Sequence, residues 1–212
     1  MPSSKISIQQ SRLYVIVDRA AVGTKDPTQV AEAAIRGGAD CIQWRDKASG
    51  ERDFLQTARA LREIARRFGR LFIVNDRLQA ARKVGADGVH LGHEDLSVRE
   101  ARALVGNSLL IGRSTHSLEE AQQAQADGAD YLGVGPVFST PTKPDYRPVG
   151  LNLLGQVAPV VKIPWFAIGG IDLENLGLVL SAGATRVAVV RAVAAASVPE
   201  AAAHSFKGHL SS

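Results

Sequence analysis

The feature that most constrains this chain is a phrase that recurs. Gly-Ala-Asp or Gly-Ala-Thr stands at Gly38, Gly85, Gly128 and Gly183, each time just before a short apolar run. Glycine after a helix-patterned segment is a stop signal, and a short branched apolar run bounded by turn residues reads as a buried strand. The phrase therefore marks repeated returns from helix to strand. The stretch Leu71–Leu96 shows one full unit: Leu71–Val74 is continuous and apolar, Leu78–Val84 has helical spacing, and Gly88–Leu91 is extended again. In a β-α-β unit both strands exit at one end of the sheet, so Asp76 and Asp95 are expected to face one another there.

The rest of the chain repeats the pattern. Leu13–Val17 is the first apolar run, and Asp26 with Pro27 opens a helix carrying Val30, Ala33 and Ala34 on one stripe. Cys41–Trp44 and then Phe54–Phe68 form the next unit. Ser97 caps a helix with Val98, Ala101, Leu104 and Val105, and Leu109–Ile111 follows as a fifth strand. Ser117 with Glu120 reads as a capping box, and Tyr131–Val134 as a sixth strand. Leu151–Val160, Trp165–Ile168, Leu173–Ala182 and Arg186–Val190 complete the alternation, and Ser197–Glu200 starts a last helix. About eight β-α units predict a TIM (β/α)8 barrel. A doubly wound open sheet would show fewer strands and a Gly-rich first turn.

A chain of 212 residues with 45% hydrophobic content suits one domain. The boundaries expected are a flexible N-terminal arm over residues 1–10 and one barrel domain over 11–212. Cys41 is the single cysteine and cannot form an intramolecular bridge, which fits a reducing compartment. No run approaches a membrane span and the polar start lacks a signal-peptide core, so the expected location is cytoplasmic. The formal charge of +4 comes from scattered basic residues, and aromatics are 5%, so no stacking surface for nucleic acid is expected. A phosphorylated small substrate and a solvated surface both account for that excess.

Several residues could carry chemistry. Side chains alternate along a strand, so Gln43, Arg45 and Lys47 share one face; turned inward they form a polar ladder that is costly unless an anion pairs with it. Asn75 and Asp76 follow the third strand and Asp95 the fourth. Magnesium takes one or two protein carboxylates and completes its shell with water and phosphate oxygens, so this pair suits Mg2+. Asp95 also stands where a helix cap would. His90 and His93 lie nearby, but zinc would want a fuller set of His or Cys ligands. Gly169-Gly170 and Val190-Arg191-Ala192 close the last two strands, where barrels often bind phosphate through backbone amides. Ser114 offers a hydroxyl without a convincing catalytic triad. Thr140, Thr142 and Lys143 lie in a loop that is either a plain surface connection or a cover for a polyphosphate.

With these pieces in order, the chain resembles the thiamine-phosphate synthase family from Leu13 to Val193. The matching segments are IQWRDK, VNDR, VHLGHEDL, IGRSTHS and GPVFSTPTK. The resemblance implies condensation of a pyrimidine methyl pyrophosphate with a thiazole phosphate, releasing pyrophosphate, with Mg2+ held by Asp76 and Asp95. It further implies that Gln43, Arg45, Lys47, Asn75 and Lys143 grip the pyrophosphate and that Ser114 meets the pyrimidine side. Thr140, Thr142, Gly170, Val190 and Arg191 would serve the thiazole phosphate. The catalytic set so implied is Lys47, Ser114 and Lys143. Two residues depart from the family pattern: His93 stands where Gln is common, and Arg191 where Ser is common. The alternatives are a thiazole tautomerase-like isomerase, which would place a His where this chain has Pro136, and a non-catalytic phosphate-binding barrel. A homodimer is expected only by analogy with other barrels.

Overall fold

The computed structural model describes residues 6–142 and 147–210. Eight parallel strands close in sequence order: β1 (Leu13–Asp18), β2 (Cys41–Arg45), β3 (Leu71–Asn75), β4 (Gly88–Leu91), β5 (Leu110–Thr115), β6 (Tyr131–Val134), β7 (Trp165–Ile168) and β8 (Val187–Val189). Between and after them run α1 (Arg19–Val22), α2 (Pro27–Arg36), α3 (Glu51–Arg67), α4 (Leu78–Val84), α5 (Val98–Val105), α6 (Leu118–Ala126), α7 (Gly150–Val160), α8 (Leu176–Ser181), α9 (Arg191–Ala194) and α10 (Pro199–Leu210). This is the TIM (β/α)8 barrel, in one domain.

Period-2 alternation divides the side chains into two cores. Leu13, Val15, Val17, Ile42, Trp44, Phe72 and Val74 point outward and pack against the helices. Tyr14, Ile16, Cys41, Leu71, Ile73, Tyr131, Phe166 and Ala188 fill the barrel's inside. Beneath them Ile8 is 2% exposed and plugs the floor. Residues 1–5 of the expected N-terminal arm lie outside the described residues. The rest of it is packed: the Ile6 amide donates to the Gly69 carbonyl, and Arg186 donates to the Gln9 and Ser11 carbonyls.

The recurring phrase has a mechanical role. Asp40 accepts hydrogen bonds from the Arg12 and Leu13 amides at 2.8 and 3.1 Å, Asp87 from the Phe72 amide at 2.8 Å, and Asp130 from the Ile111 amide at 2.7 Å. Each aspartate at the foot of an even strand thus clasps the foot of the odd strand before it, satisfying an amide that would otherwise be left at a strand end. The fourth copy carries Thr185, whose hydroxyl accepts from Arg186 instead.

Some local expectations change. β5 runs on to Thr115 because Arg113, Ser114 and Thr115 continue the ladder with β6, whereas the eighth strand is shorter than expected. The helix expected from Leu173 begins at Leu176, since the Asp172 carboxylate takes the Glu174 and Asn175 amides in a turn first. Ser117 does accept from the Glu120 amide, but Glu120 reaches back to the His116 amide rather than to Ser117, so the box is displaced by one residue. The short helices α1 and α9 were not legible; α1 exists because the Asp18 carboxylate caps it through the Ala21 amide.

Candidate active site at the C-terminal mouth

All eight strands exit at one end, and there the loops enclose a cavity of about 550 Å³. One side is charged. Gln43 and Arg45 climb the inner face of β2, as the alternation predicts, and both line the cavity with Asn75, His90 and Ser114. Arg45 forms an ion pair with Asp18, so β1 supplies a counter-charge that the sequence did not reveal. Lys47 lies beyond the strand end, 62% exposed, and its ammonium meets the Asp76 carboxylate on the rim.

Asp76 holds a left-handed backbone conformation, φ 57°, uncommon for a non-glycine residue. Its amide donates to the His90 carbonyl at 2.9 Å, which carries the β3–β4 ladder one step past the strand end. The bend sets its carboxyl near that of Asp95, close enough to disfavour the charged form of Asp95. Asp95 itself accepts from the Gly92 amide at 2.6 Å and does not cap α5, a task done by Ser97 and Glu100 in a complete capping box. Burial, and then the neighbouring Asp76 carboxyl, push the Asp95 carboxyl above the ordinary carboxylate range. Two neighbouring carboxyls beside one ammonium fit a hard divalent cation, which would relieve their repulsion. Among the described residues no cluster of three His, Cys, Asp or Glu side chains occurs, so such an ion would complete its shell with water and substrate oxygens. His93 is exposed and His90 turns into the barrel, so neither joins the aspartates.

Arg77, which the sequence reading passed over, ties this rim together. Its guanidinium donates to the Asp46 and Ser49 carbonyls at 3.1 Å and lies 4.3 Å over the Phe54 ring, fastening the loop that carries Lys47 to the segment that carries Asp76.

The opposite side is built from backbone. Gly169 and Gly170 both have positive φ, and a side chain on either would collide: a Cβ on Gly169 would sit 2.4 Å from Pro136, and one on Gly170 2.6 Å from the Ser139 carbonyl. Glycine there lets the β6–α7 loop lie directly on the end of β7. Thr140, Thr142, Val190 and Arg191 line this part of the cavity, and Lys25 holds the segment after α9 by donating to the Ala195 and Ala196 carbonyls. Lys143 falls outside the described residues.

Ser114 sits at 3.0 Å from His90 Nε2, a pairing seen in nucleophilic enzymes. The other ring nitrogen faces the Tyr131 phenol at 3.2 Å, where the histidine of a hydrolytic triad would face a carboxylate. The signals that could have revealed His90 and Tyr131 are Gly112 and Gly133, glycines inside strands where branched residues are usual.

A closed parallel barrel with acidic and basic side chains on one side of its mouth and glycine-lined backbone on the other defines a (β/α)8 protein with a charged cavity at the strands' C-terminal ends. The chain belongs to the thiamine monophosphate synthase family, whose model matches residues 13–193. It is 48% identical to a thiamine-phosphate synthase of Chloroflexus aurantiacus over 201 residues, covering 94% of this chain and 93% of that one. It is also 48% identical to a thiamine-phosphate synthase of Thermosynechococcus vestitus over 207 residues, covering 96% of this chain. The chain spans only 57% of that protein's length, and 50% of a Gloeobacter violaceus relative that is 54% identical over 171 residues. Among solved structures, a thiamine phosphate pyrophosphorylase from Pyrococcus furiosus superposes with a TM-score of 0.89 at 39% identity, covering 96% and 97% of the two chains. A 3-hexulose-6-phosphate synthase, at 18% identity and a TM-score of 0.67, shares the fold.

Proposed function

We propose that this chain is a magnesium-dependent thiamine-phosphate synthase, joining a 4-amino-2-methyl-5-hydroxymethylpyrimidine pyrophosphate to hydroxyethylthiazole phosphate with loss of pyrophosphate. The observation that carries this reading is the division of the mouth: neighbouring carboxyls with Lys47 on one rim, glycine-bounded backbone with Arg191 across the cavity. Two anionic substrates can be held at once, with their reacting ends meeting between.

In this reading Asp76 and Asp95 hold Mg2+, which would supply positive charge to the oxygens of the leaving pyrophosphate. Lys47, Arg45, Gln43 and Asn75 lie towards the same group and oppose its growing charge, and the resemblance gives Lys143 the same role. Ser114 meets the pyrimidine side. Thr140, Thr142, Gly170 and Val190 orient the thiazole phosphate, and Arg191 adds a charge to it. The C–O bond to pyrophosphate breaks with its electron pair leaving on oxygen, the electron-rich pyrimidine stabilises the cationic carbon, and the thiazole nitrogen closes the new C–N bond. No protein nucleophile is needed. Cytoplasmic residence and pairing of two copies belong to the same proposal; among the described residues no helix is long and apolar enough to cross a membrane.

The test is thiamine phosphate formation by purified protein given both precursors, with and without magnesium. Magnesium-dependent product, lost in Asp76→Ala, supports the reading. Folded protein that binds both precursors and forms no product turns it towards the binding barrel.

A further inference from the structure

Inside the barrel, below the reacting groups, five polar side chains from five strands join in one line. Gln43 Nε2 donates to the Tyr14 hydroxyl at 2.8 Å; that oxygen lies 3.1 Å from the Tyr131 hydroxyl, which lies 3.2 Å from His90 Nδ1; His90 Nε2 lies 3.0 Å from Ser114 Oγ. Gln43 and Ser114 both line the cavity, while Tyr14 and Tyr131 are sealed away at 2% and 1% exposure. The line begins at one edge of the substrate space and returns to it at another.

The fold gives up side chains to make room for it. A Cβ on Gly112 would stand 2.1 Å from Tyr131 Cζ and 2.6 Å from His90 Nδ1, and one on Gly133 would press within 3.3 Å of His90 Cε1. Interior glycine weakens a strand, so two of them facing the same pair of rings mark a space kept for those rings.

Hydrogen counting gives the line a direction. The amide nitrogen of Gln43 can only donate, so the Tyr14 oxygen accepts, and its hydrogen has two takers, Cys41 Sγ and the Tyr131 oxygen. In the direction that continues the line Tyr14 donates to Tyr131, and Tyr131 donates to His90 Nδ1, the bare nitrogen of a neutral imidazole. The proton sits on Nε2 and is donated to Ser114 Oγ. Burial holds both phenols protonated, well above their ordinary range, so each hydroxyl keeps the hydrogen the line needs.

We propose that Tyr14, Tyr131 and His90 are positioning residues, a one-way hydrogen-bonded chain that fixes His90 as its Nε2–H tautomer, turns the Ser114 hydrogen towards the ligand and leaves the Gln43 carbonyl as an acceptor. The part concerning turnover rests on the synthase reading above. The tautomer does not, and is measurable without substrate. A reversed line, with Tyr131 donating to Tyr14, would put the proton on Nδ1 and make Ser114 the donor to His90 Nε2, so the two directions have opposite signatures.

The experiment is nitrogen-15 NMR of histidine-labelled protein, ligand-free, at a pH where imidazole is neutral, with the His90 signals assigned by their loss in His90→Gln. The expected result is a protonated Nε2 and a bare Nδ1, turning into a tautomer mixture in Tyr131→Phe. Thiamine phosphate formation by Tyr131→Phe should then show kcat down about tenfold with KM for the thiazole phosphate unchanged. Ser114→Ala combined with Tyr131→Phe should be no slower than Ser114→Ala alone. A protonated Nδ1, a tautomer unmoved by Tyr131→Phe, or additive losses in the double variant would each overturn the proposal. Should Tyr131→Phe not fold, Tyr14→Phe breaks the line one link earlier and is read in the same way. Wild-type protein without turnover counts against the synthase reading alone, because the tautomer still decides the direction of the line.

Discussion

The floor and the mouth of this barrel use aspartate in opposite ways. At the floor, Asp40 is 1% exposed and satisfied on every side: two backbone amides, Lys207 Nζ at 2.5 Å and Arg70 at 3.4 Å. Asp130 is held similarly by the Ile111 amide and Arg102. At the mouth, Asp76 and Asp95 are turned on each other, and Asp95 holds its proton more tightly than a carboxyl in water. A carboxylate ringed by donors is a fastener, whereas two set near each other leave room for something positive. In the proposed reading the same residue type is spent on stability at one end and on chemistry at the other.

The largest effect that could break this comparison is at the floor. Asp40→Ala leaves Lys207 and Arg70 without their common partner and frees two strand amides, and should cost about 3–5 kcal/mol in chemical denaturation. Activity per folded molecule should be unchanged at low temperature; a specific loss of turnover would show that the floor is not merely structural.

Next comes Asp95→Asn, expected to lower turnover about a hundredfold, or about 2.7 kcal/mol, at fixed magnesium, with no loss of stability in the metal-free protein. The pH dependence sharpens the point. The Asp95 pKa is raised on folding, so the native state binds the proton more tightly than the unfolded chain; this contribution is fully present below the unfolded value and is lost as pH rises through the folded one. Asp26, lowered by its bonds to Thr28, acts with the opposite sign, so the readout is the difference between wild type and Asp95→Asn across the acidic range. Metal-free wild type should lose stability relative to the variant as pH rises. A flat difference would mean that neither burial nor Asp76 raises the Asp95 carboxyl.

The smallest effect is across the cavity. Arg191→Ser should raise KM for the thiazole phosphate about tenfold, or about 1.4 kcal/mol, and leave kcat alone. An unchanged KM would assign that phosphate to backbone amides without help from the side chain.

What could be read from the sequence divides along the same physical line. Local periodicity was enough for the strands, for the face that Gln43 shares with Arg45 and for the approach of Asp76 to Asp95, because each follows from alternation and from the common exit of parallel strands; that the shared face is the inner one came from the closed barrel. The Gly-Ala-Asp phrase was visible, but its clasp on the preceding odd strand needs the register of two strands and so was not. Arg45 looked like an open cation until the β1–β2 pairing brought Asp18 beside it. The line from Gln43 to Ser114 was hidden for a stronger reason: Tyr14 and Tyr131 are 117 positions apart and meet only because the barrel closes. The role given to Lys143 stays with the resemblance alone.

The broken fourth copy of the phrase has one more consequence. β1 with β2, β3 with β4 and β5 with β6 are each locked at the foot by a carboxylate, but β7 and β8 have Thr185 there and share only two registered residue pairs. These two staves share the fewest registered pairs of any neighbours in the wall. Their upper ends are also where the glycines and Arg191 would meet a phosphate in the proposed reading. A substrate bridging them would tie from above a pair that no carboxylate clasps from below, so filling the pocket and stilling the wall would be a single event.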